Sequence, residues 1–417
     1  QRGVFSECIQ YPDSTQYNVP VIAPLGHEID LERMARAFHI VYESRVALRL
    51  RFAVDDEGNL YQYADDEREL RVVRREMADA ELQEYAYRGF CHPFDLMGEE
   101  PLIRVELVTT EMQNYLLMDF HHLIMDGLSY TYILAKKDFP AAYSDGVLPA
   151  ETYTILDASL DEQKERGGES YRIAKAYYAE KFAEVDFATL SSRPDNPSGQ
   201  MLRVHNHIDR DTVEEWCRGR GVAVNLLFQA AFSYVLSVLT REDKIAFSTI
   251  SHGRFDRSWR NILGMFSRQM PVISEIKDGE SVIDYVKSFR SERMSAIRHS
   301  AYPITDLCRD QKKRLGACFD FMAMEEMEEM SFIDGERYDV KEQLRGTITS
   351  DLSVSVFLKD REYDIRVDSS EAMNDLATLQ MVARAMGVTL QNMMSQPDAE
   401  IKSVSIVSLA EERELIE

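Results

Sequence analysis

The chain has 417 residues, of which 45% are hydrophobic and 29% charged, an ordinary balance for a globular protein. Its 72 acidic and 48 basic residues give a net charge of −24. This charge disfavours general nucleic-acid binding, which depends on cations that neutralise phosphates, and anionic membrane surfaces should repel the chain. We therefore expect neither nucleic acid nor a membrane among its partners.

The composition also bears on the compartment. The sequence contains no apolar run of about 20 residues that could span a bilayer, and no basic-then-apolar signal segment opens it. Five cysteines, an odd number without C-x-x-C spacing, favour free thiols in a reducing cytoplasm. Because the chain begins with Gln1 rather than Met, we expect it to be a piece of a longer protein.

Apolar periodicity predicts alternating strands and helices in the first half of the chain. Asp30 is expected to cap one of the helices, since Asp is a preferred residue at that position. In chain order we predict a strand at 15–24, a helix to about 44, strands near 46–53 and 59–63, a helix near 79–90, strands at Leu102–Thr109 and Tyr115–Phe120, and a helix at Leu128–Ala135.

The second half repeats this alternation after a loop-like stretch at 191–199. We divide the chain into domains at 1–180 and 181–417, and expect each to be a layered α/β sandwich. Predicted helices lie at Tyr171–Phe182, near 211–219, Leu226–Leu239, 282–298 and 373–394, and predicted strands near 202–208, Ile245–Ile250, Met270–Ile276, 316–323, 350–358 and 362–368.

One short pattern carries candidate chemistry: His121-His122-x-x-x-Asp126-Gly127, directly after an apolar strand. Adjacent residues at a strand end point in opposite directions, so one imidazole can face substrate and the other the protein. Histidine is the side chain best suited to proton transfer near neutral pH. Asp126 could accept a hydrogen bond from a ring or fix the loop through an arginine. Gly127 at a helix start could offer its N–H to a developing negative charge.

Other interpretations of the pattern remain possible. Adjacent histidines are commonly surface or satisfied core groups, and Asp-Gly is a common turn. A zinc site would need other spacing, because no H-E-x-x-H occurs and His205-x-His207 lies in the other half, so we expect no metal. The sequence lacks G-x-S-x-G, G-x-G-x-x-G and P-loop patterns, so nothing indicates a serine nucleophile or a bound nucleotide.

The segment Asp119–Ser129 resembles the core motif of the condensation domains of nonribosomal peptide synthetases. Further segments resemble that family's motifs in the same order along nearly the whole chain. They are Gln1-Arg2-Gly3 with Tyr17-Asn18-Val19-Pro20, Arg45–Phe52, Pro93-Phe94-Asp95-Leu96 with Pro101–Val105, Gly253-Arg254 with Ile262–Phe266, Tyr302-Pro303, Phe319–Met322 and Ser408–Arg413.

The resemblance implies a fold and a reaction. The fold would be two chloramphenicol-acetyltransferase-like α/β sandwich lobes arranged as a V around a central channel. The reaction would be amide bond formation between a donor acyl or peptidyl thioester and the amine of an acceptor aminoacyl thioester. Donor and acceptor carrier proteins would supply both substrates on phosphopantetheine arms, and the domain would bind no cofactor of its own. An adenylation domain would neighbour it in the same synthetase.

The resemblance also implies roles for the motif residues. His122 would be the functional histidine, which positions the amine or takes its proton, whereas His121 would be buried and structural. Gly127 would offer its backbone N–H near the reacting carbonyl. Asp126 would be architectural, paired with Arg49 or, as runner-up, with Arg104. Ser129 would support the same loop.

The family's floor loop corresponds to about 262–272 and includes Gly264 and Phe266, and its crossover or latch segment corresponds to about 325–349. We assign both to the C-terminal lobe. After Phe266, however, Ser267-Arg268-Gln269 replaces the family's usual Val-Asn-Thr. This departure predicts altered donor selection or altered polarity at the floor of the channel.

Three alternative functions make different demands on the sequence. An epimerisation domain should show Glu-Gly-His-Gly-Arg, but only His252-Gly253-Arg254 is present, without the glutamate that proton exchange at an α-carbon needs. A heterocyclisation domain would carry Asp in place of His121. A catalytically inactive platform that recruits a partner would usually lose the His pair or Asp126. Condensation is therefore the favoured function.

Overall fold

The computed structural model describes residues 1–191, 201–322, 329–330, 338–339, 341–342 and 351–408. The chain folds into two compact units. Unit 1 comprises Gln1–Gln163, His252–Ser267 and Glu325–Gly346, and unit 2 comprises Lys164–Ser251, Arg268–Met324 and Thr347–Glu417.

Strands and helices alternate along the described chain. The strands are β1 (Asn18–Pro24), β2 (Leu50–Val54), β3 (Leu60–Ala64), β4 (Val72–Glu76), β5 (Ile103–Thr109), β6 (Asn114–His121), β7 (Met201–Asp209), β8 (Lys244–Ser251), β9 (Arg268–Glu275), β10 (Cys318–Phe321), β11 (Glu329–Met330), β12 (Tyr338–Asp339), β13 (Lys341–Glu342), β14 (Ser353–Lys359) and β15 (Glu362–Ser370).

The α-helices are α1 (Arg2–Gln10), α2 (Leu31–Ser44), α3 (Asp79–Glu84), α4 (Phe139–Asp145), α5 (Ile155–Glu165), α6 (Glu169–Lys181), α7 (Arg210–Arg220), α8 (Val224–Thr240), α9 (Val282–Arg298), α10 (Ile304–Gln311) and α11 (Leu376–Ser395). The 3₁₀ turns are Val46–Arg49, Arg257–Trp259 and Ile401–Ser403, and the π-helical segments are Tyr85–Phe90 and Ser129–Asp138.

Unit 1 is built on a mixed five-stranded sheet in the order β13-β1-β6-β5-β4, in which only the β4–β5 pair is parallel. Alternate residues of the central strands point to opposite faces. Val21 and Met118 therefore join the core with α2 and α4, whereas Ile22 and Leu117 pack with α3 and the π-helical segment that follows it. The two faces of the sheet are thus both covered by helices.

Helix α2 begins where the sequence predicted. The Asp30 side chain accepts a hydrogen bond from the Arg33 N–H, which satisfies a donor that a helix N-terminus otherwise leaves unpaired. Met34, Ala37, Phe38 and Val41 form its buried face. This amphipathic pattern explains why α2 forms and which side faces the core.

Unit 2 is built on a mixed six-stranded sheet in the order β7-β15-β14-β10-β8-β9. Strand β10 runs parallel to β14 and β8, and the remaining neighbours are antiparallel. One face packs against α7, α8, α9 and α11 through side chains such as Phe247 and Phe319. Near β8 and β9 the other face is covered by α6 and α10, which pack on Ala246 and Ile273.

The compact units group the chain differently from the predicted division at residue 180. Helix α6 belongs to unit 2, where Ala174 and Tyr178 are buried in the cluster around Tyr302. The segment His252–Ser267 belongs to unit 1, although it lies between β8 and β9 in sequence and was expected in the C-terminal lobe. Most of the predicted crossover segment at about 325–349 lies outside the described residues.

In the described part of the chain, no single helix has the length and apolar composition to cross a membrane. The helices Arg210–Arg220 and Val224–Thr240, bent by 101°, meet that test only when taken together.

A glycine in the middle of α11 makes a testable contact. An added Cβ at Gly387 would lie 2.4 Å from Asn206 Nδ2, which donates a hydrogen bond of 2.7 Å to the Ala383 carbonyl. We therefore expect Gly387→Ala to lower the urea midpoint, although alanine is the better helix former. In an Asn206→Ala background the same change should instead stabilise by about 1 kcal/mol. An equal gain in both backgrounds would contradict this steric account.

Candidate active site

The His121–Gly127 loop begins at the last residue of β6. The His121 N–H donates to the Leu102 carbonyl at 2.9 Å and the His122 N–H to the Tyr17 carbonyl at 2.7 Å. These two bonds hold the backbone of the histidine pair to its neighbours at the strand end. A helix then begins at Gly127 and continues as the π-helical segment Ser129–Asp138. Such segments are rare and are often found at functional sites.

Asp126 is completely buried and holds the loop through four donors. Its Oδ1 accepts from the Ser129 N–H at 2.8 Å, which caps the helix that begins at Gly127. Its Oδ2 accepts from Arg254 Nη1 at 2.7 Å and from the N–H groups of Phe266 and Ser267 at 2.8 and 3.1 Å. A buried carboxylate is stable only when it is paired and hydrogen-bonded, and Asp126 meets both conditions.

Arg254 is the buried cation that pairs with Asp126. Its Nη2 donates to Ser129 Oγ and to the carbonyls of Ile262 and Gly264, the latter two at 3.2 and 3.4 Å. The guanidinium carbon lies 4.5 Å from the centroid of the Phe266 ring. The arginine therefore ties the motif loop to the segment His252–Ser267 within unit 1.

The predicted partners of Asp126 are wrong. Arg49 pairs with the exposed Asp66 at 2.9 Å, and Arg104 pairs with Asp119 at 3.2 Å. Both arginines precede the motif in sequence, whereas Arg254 follows it by more than a hundred residues and reaches it only through the fold. The sequence signal that could have indicated this partner is the His-Gly-Arg pattern that ends at Arg254.

Arg104 supports the histidine pair indirectly. It donates to the carbonyls of His92 and Pro93, and its guanidinium carbon lies 3.7 Å from the centroid of the Phe94 ring. The Phe94 ring in turn packs edge-on against His121, with centroids 5.9 Å apart. Burial of Asp119 raises the pKa of that carboxyl despite the nearby Arg104 charge.

His121 is buried and its hydrogen bonds define its tautomer. The Leu123 N–H donates to His121 Nδ1 at 3.1 Å, so Nδ1 carries no proton and Nε2 carries it. Nε2 lies 3.5 Å from Cys8 Sγ on α1, which accepts that N–H. Burial, followed by the neighbouring His122 and Arg104 charges, lowers the pKa of His121 to about 3. The ring is therefore neutral at physiological pH, and both of its nitrogens have structural partners.

His122 differs from His121 in its burial and in its hydrogen bonds. The side chain is only half-buried, and its Nδ1 lies below the surface without a hydrogen-bond partner among the described residues. The next helix starts at Gly127, and no described group accepts a hydrogen bond from the Gly127 N–H. Among the described residues, the loop held by Asp126 and Arg254 thus carries an imidazole, His122, and a backbone N–H, Gly127, that are available to a substrate. These are the elements that proton transfer and oxyanion stabilisation require.

The predicted floor residues separate into two groups. Gly264 exchanges hydrogen bonds with Ser129, whose Oγ donates to the Gly264 carbonyl at 2.7 Å and accepts from its N–H at 3.0 Å. A Cβ added at Gly264 would lie 2.8 Å from Ile155 Cδ1, so a larger residue here would force the buried Ile155 side chain to shift. Arg268 starts β9 in unit 2 and donates to the Ser300 carbonyl at 3.3 Å, and burial lowers its pKa to about 10.

Metal ligands are not assembled at the histidine pair. Among the described residues, no group of three or more His, Cys, Asp or Glu side chains is arranged to hold a metal ion. His121 Nε2 faces a thiol, but burial and the Glu7 charge raise the pKa of Cys8 to about 12, so this sulfur is protonated.

The fold resembles that of known proteins. The starter condensation domain of rhizomide synthetase superimposes with a TM-score of 0.81 over 97% of this chain and 95% of that structure, at 22% identity. The first condensation domain of the calcium-dependent antibiotic synthetase gives 0.78 over 97% of both chains, at 17% identity. The expected fold class, α/β and chloramphenicol-acetyltransferase-like, is confirmed.

Sequence comparison supports the same class. A plipastatin synthase of Bacillus subtilis (strain 168) is 27% identical over 70% of this chain and 12% of that protein. Tyrocidine synthase 3 of Brevibacillus parabrevis is 23% identical over 96% of this chain and 6% of that protein. The family model for the condensation domain matches residues 1–416. The chain therefore belongs to the condensation-domain family of nonribosomal peptide synthetases, and it spans about a tenth or less of these relatives.

The buried ion pair can be tested by a double-mutant cycle. Removal of one partner leaves an uncompensated buried charge, so Asp126→Ala and Arg254→Met should each lower the free energy of unfolding by about 3–5 kcal/mol. The double variant should lose less than the sum of the two. As a control, Asp66→Ala, which removes the exposed partner of Arg49, should cost less than about 1 kcal/mol. Additive losses in urea unfolding would contradict a direct interaction.

The buried neutral His121 predicts a pH dependence of stability. The unfolded ring takes up a proton below pH 6.5, whereas the folded ring does so only near pH 3. Protonation thus favours the unfolded chain, and this one group should remove up to about 1.4 kcal/mol per pH unit as the pH falls through this window. His121→Asn keeps an acceptor for the Leu123 N–H but does not titrate. Urea unfolding between pH 4 and 7 should show a shallower slope for this variant, and identical slopes would contradict the assignment.

Proposed function

We propose that this domain joins a donor acyl or peptidyl thioester to the amine of an acceptor aminoacyl thioester. Both substrates are held on the phosphopantetheine arms of carrier proteins, so the domain needs no cofactor of its own. The observation that carries the proposal is the contrast between the two histidines. His121 has both nitrogens engaged, whereas the half-buried His122 has a ring nitrogen without a partner among the described residues.

In the proposed reaction, the acceptor amine attacks the donor carbonyl, and a C–N bond forms as the C–S bond breaks. His122 orients the amine and takes its proton, which then passes to the departing thiolate. The Gly127 N–H donates to the oxyanion of the tetrahedral intermediate, at the start of a helix whose dipole favours negative charge there. Tethering both thioesters converts an encounter between two solutes into a reaction within one complex.

Asp126, Arg254 and Ser129 contribute by keeping the loop in one conformation. Each is buried and bonds to other protein groups. They are positioning residues in this proposal. A loose loop would misplace His122, and misplacement of a catalytic group by about 1 Å can cost 10²-fold in rate.

The two alternatives make different predictions. Epimerisation would exchange the donor α-hydrogen with solvent deuterium, and an inactive platform would convert neither substrate. Solved relatives illustrate the substrate classes, since a variant of the rhizomide starter domain has been crystallised with C8-CoA and Leu-SNAC. For this chain, loaded donor and acceptor carriers followed by mass spectrometry of the acceptor would distinguish the three. A longer acceptor-bound product without deuterium exchange is the expected result.

His122→Ala should lower condensation by about 10²–10⁴-fold, the range typical for loss of a general acid–base group. Its melting temperature should stay close to that of the unchanged protein, because no hydrogen bond from the ring to the described residues is lost. His39→Ala, at another half-buried histidine on α2, is the matched control and should keep its activity. Normal turnover by His122→Ala would remove His122 from the mechanism.

A further inference from the structure

Basic residues are concentrated in one stretch of this acidic chain. Residues 287–314 contain eight Lys or Arg and three Asp or Glu, a net charge of +5, whereas the whole chain carries −24. Near α10 the charges compensate one another: Asp306 pairs with Arg166 and Arg309, and Asp310 pairs with Lys175. Lys312, Lys313 and Arg314 follow α10, where Lys313 pairs with Asp186, and the other four cations, Lys287, Arg290, Arg293 and Arg298, lie on α9.

Helix α9 presents this charge on its outer side. Val282, Tyr285, Val286, Phe289 and Ala296 are buried against the unit 2 core. On the opposite side, Lys287, Arg290, Met294 and Arg298 follow one another at spacings of three and four residues, so they form one stripe along the helix. We call these four residues the α9 stripe. All four are exposed, and Arg293 is exposed on its flank.

Among the described residues, the cations of the stripe make no ion pair. Neither Lys287 nor Arg290 forms a hydrogen bond or ion pair with the described residues, and the same holds for Arg293. Arg298 contacts only the Met294 carbonyl of its own helix among the described residues, at 3.3 Å. Glu292 is half-buried on another side of α9, where burial raises the pKa of its carboxyl despite the charges of Lys181 and Lys277.

An exposed methionine interrupts these cations. The Met294 side chain is 50% exposed between Arg290 and Arg298. Methionine is flexible and polarisable, which suits contact surfaces that bind and release more than one partner shape. Cations around it accelerate the encounter with an acidic partner and limit which partners can dock. An apolar centre within a charged rim is the usual composition of a small protein interface.

We infer that the α9 stripe is a docking surface for the acidic face of a carrier protein that delivers a thioester to this domain. The inference rests on the proposed function, because condensation requires carriers to dock and leave in every cycle. The complementary charge selects an acidic partner, and the repulsion expected from the rest of the −24 surface directs that partner to the stripe. A short stripe with one apolar side chain suits transient binding.

The test compares two charge-reversal variants of equal charge. Lys287→Glu/Arg290→Glu/Arg298→Glu alters the stripe. Arg36→Glu/Arg71→Glu/Arg88→Glu alters three exposed arginines of unit 1 and is the matched control. Fluorescence anisotropy measures binding of labelled holo-carrier proteins, donor and acceptor separately, from the synthetase that contains this chain. Condensation is measured with carrier-bound substrates and, in parallel, with the same acyl groups on N-acetylcysteamine.

The stripe variant should raise the Kd for one carrier, and the KM for the substrate on that carrier, by at least about tenfold. The dependence of this Kd and this KM on salt concentration should also become smaller. Turnover of the N-acetylcysteamine thioesters should not change. Equal losses in the control variant, or no change for either carrier, would each overturn the proposal. Anisotropy measures binding without turnover. If carriers bind, the stripe variant weakens that binding and no condensation occurs, the proposed function is rejected but the docking surface is supported.

Discussion

The buried pair between Asp126 and Arg254 is the interaction on which the candidate site depends. Burial of two charges costs more than their attraction returns unless the remaining donors and acceptors are also satisfied. Here backbone N–H groups of Ser129, Phe266 and Ser267 complete the carboxylate, and both Nη atoms of Arg254 donate hydrogen bonds, although its buried Nε has no partner among the described residues. Because these bonds span two distant parts of the sequence, they define one geometry for the loop rather than a family of geometries.

The histidine pair shows how two identical side chains acquire different properties from adjacent positions. His121 ends β6 and turns into the protein, where the Leu123 N–H and the Cys8 thiol fix its tautomer. His122 turns the other way and keeps a nitrogen uncommitted among the described residues. A protonated His121 would lose the bond from Leu123, since Nδ1 could no longer accept. The lowered pKa of His121 therefore protects the backbone of the loop in which His122 lies.

The sequence predicted features that depend on neighbours along the chain. The cap at Asp30, the buried face of α2 and the loop at the end of β6 follow from local spacing, and the structure confirms them. The partner of Asp126 could not be predicted in this way. Any of several arginines satisfies the charge, and only the tertiary fold selects Arg254 over Arg49 and Arg104. The π-helical geometry after Gly127 was likewise not predicted, because a helical pattern alone indicates an ordinary α-helix.

The position of Arg254 in the sequence has a consequence for folding during synthesis and for the design of chimeric domains. On the ribosome, Asp126 is made well before its cation, so the loop cannot reach its final state until the His252–Ser267 segment has emerged. A chimera joined near residue 163 that takes its second part from another synthetase would place a foreign segment around Asp126. Exchange boundaries that keep Gln1–Gln163 together with His252–Ser267 would preserve the carboxylate, its arginine and the three backbone donors as one inherited set.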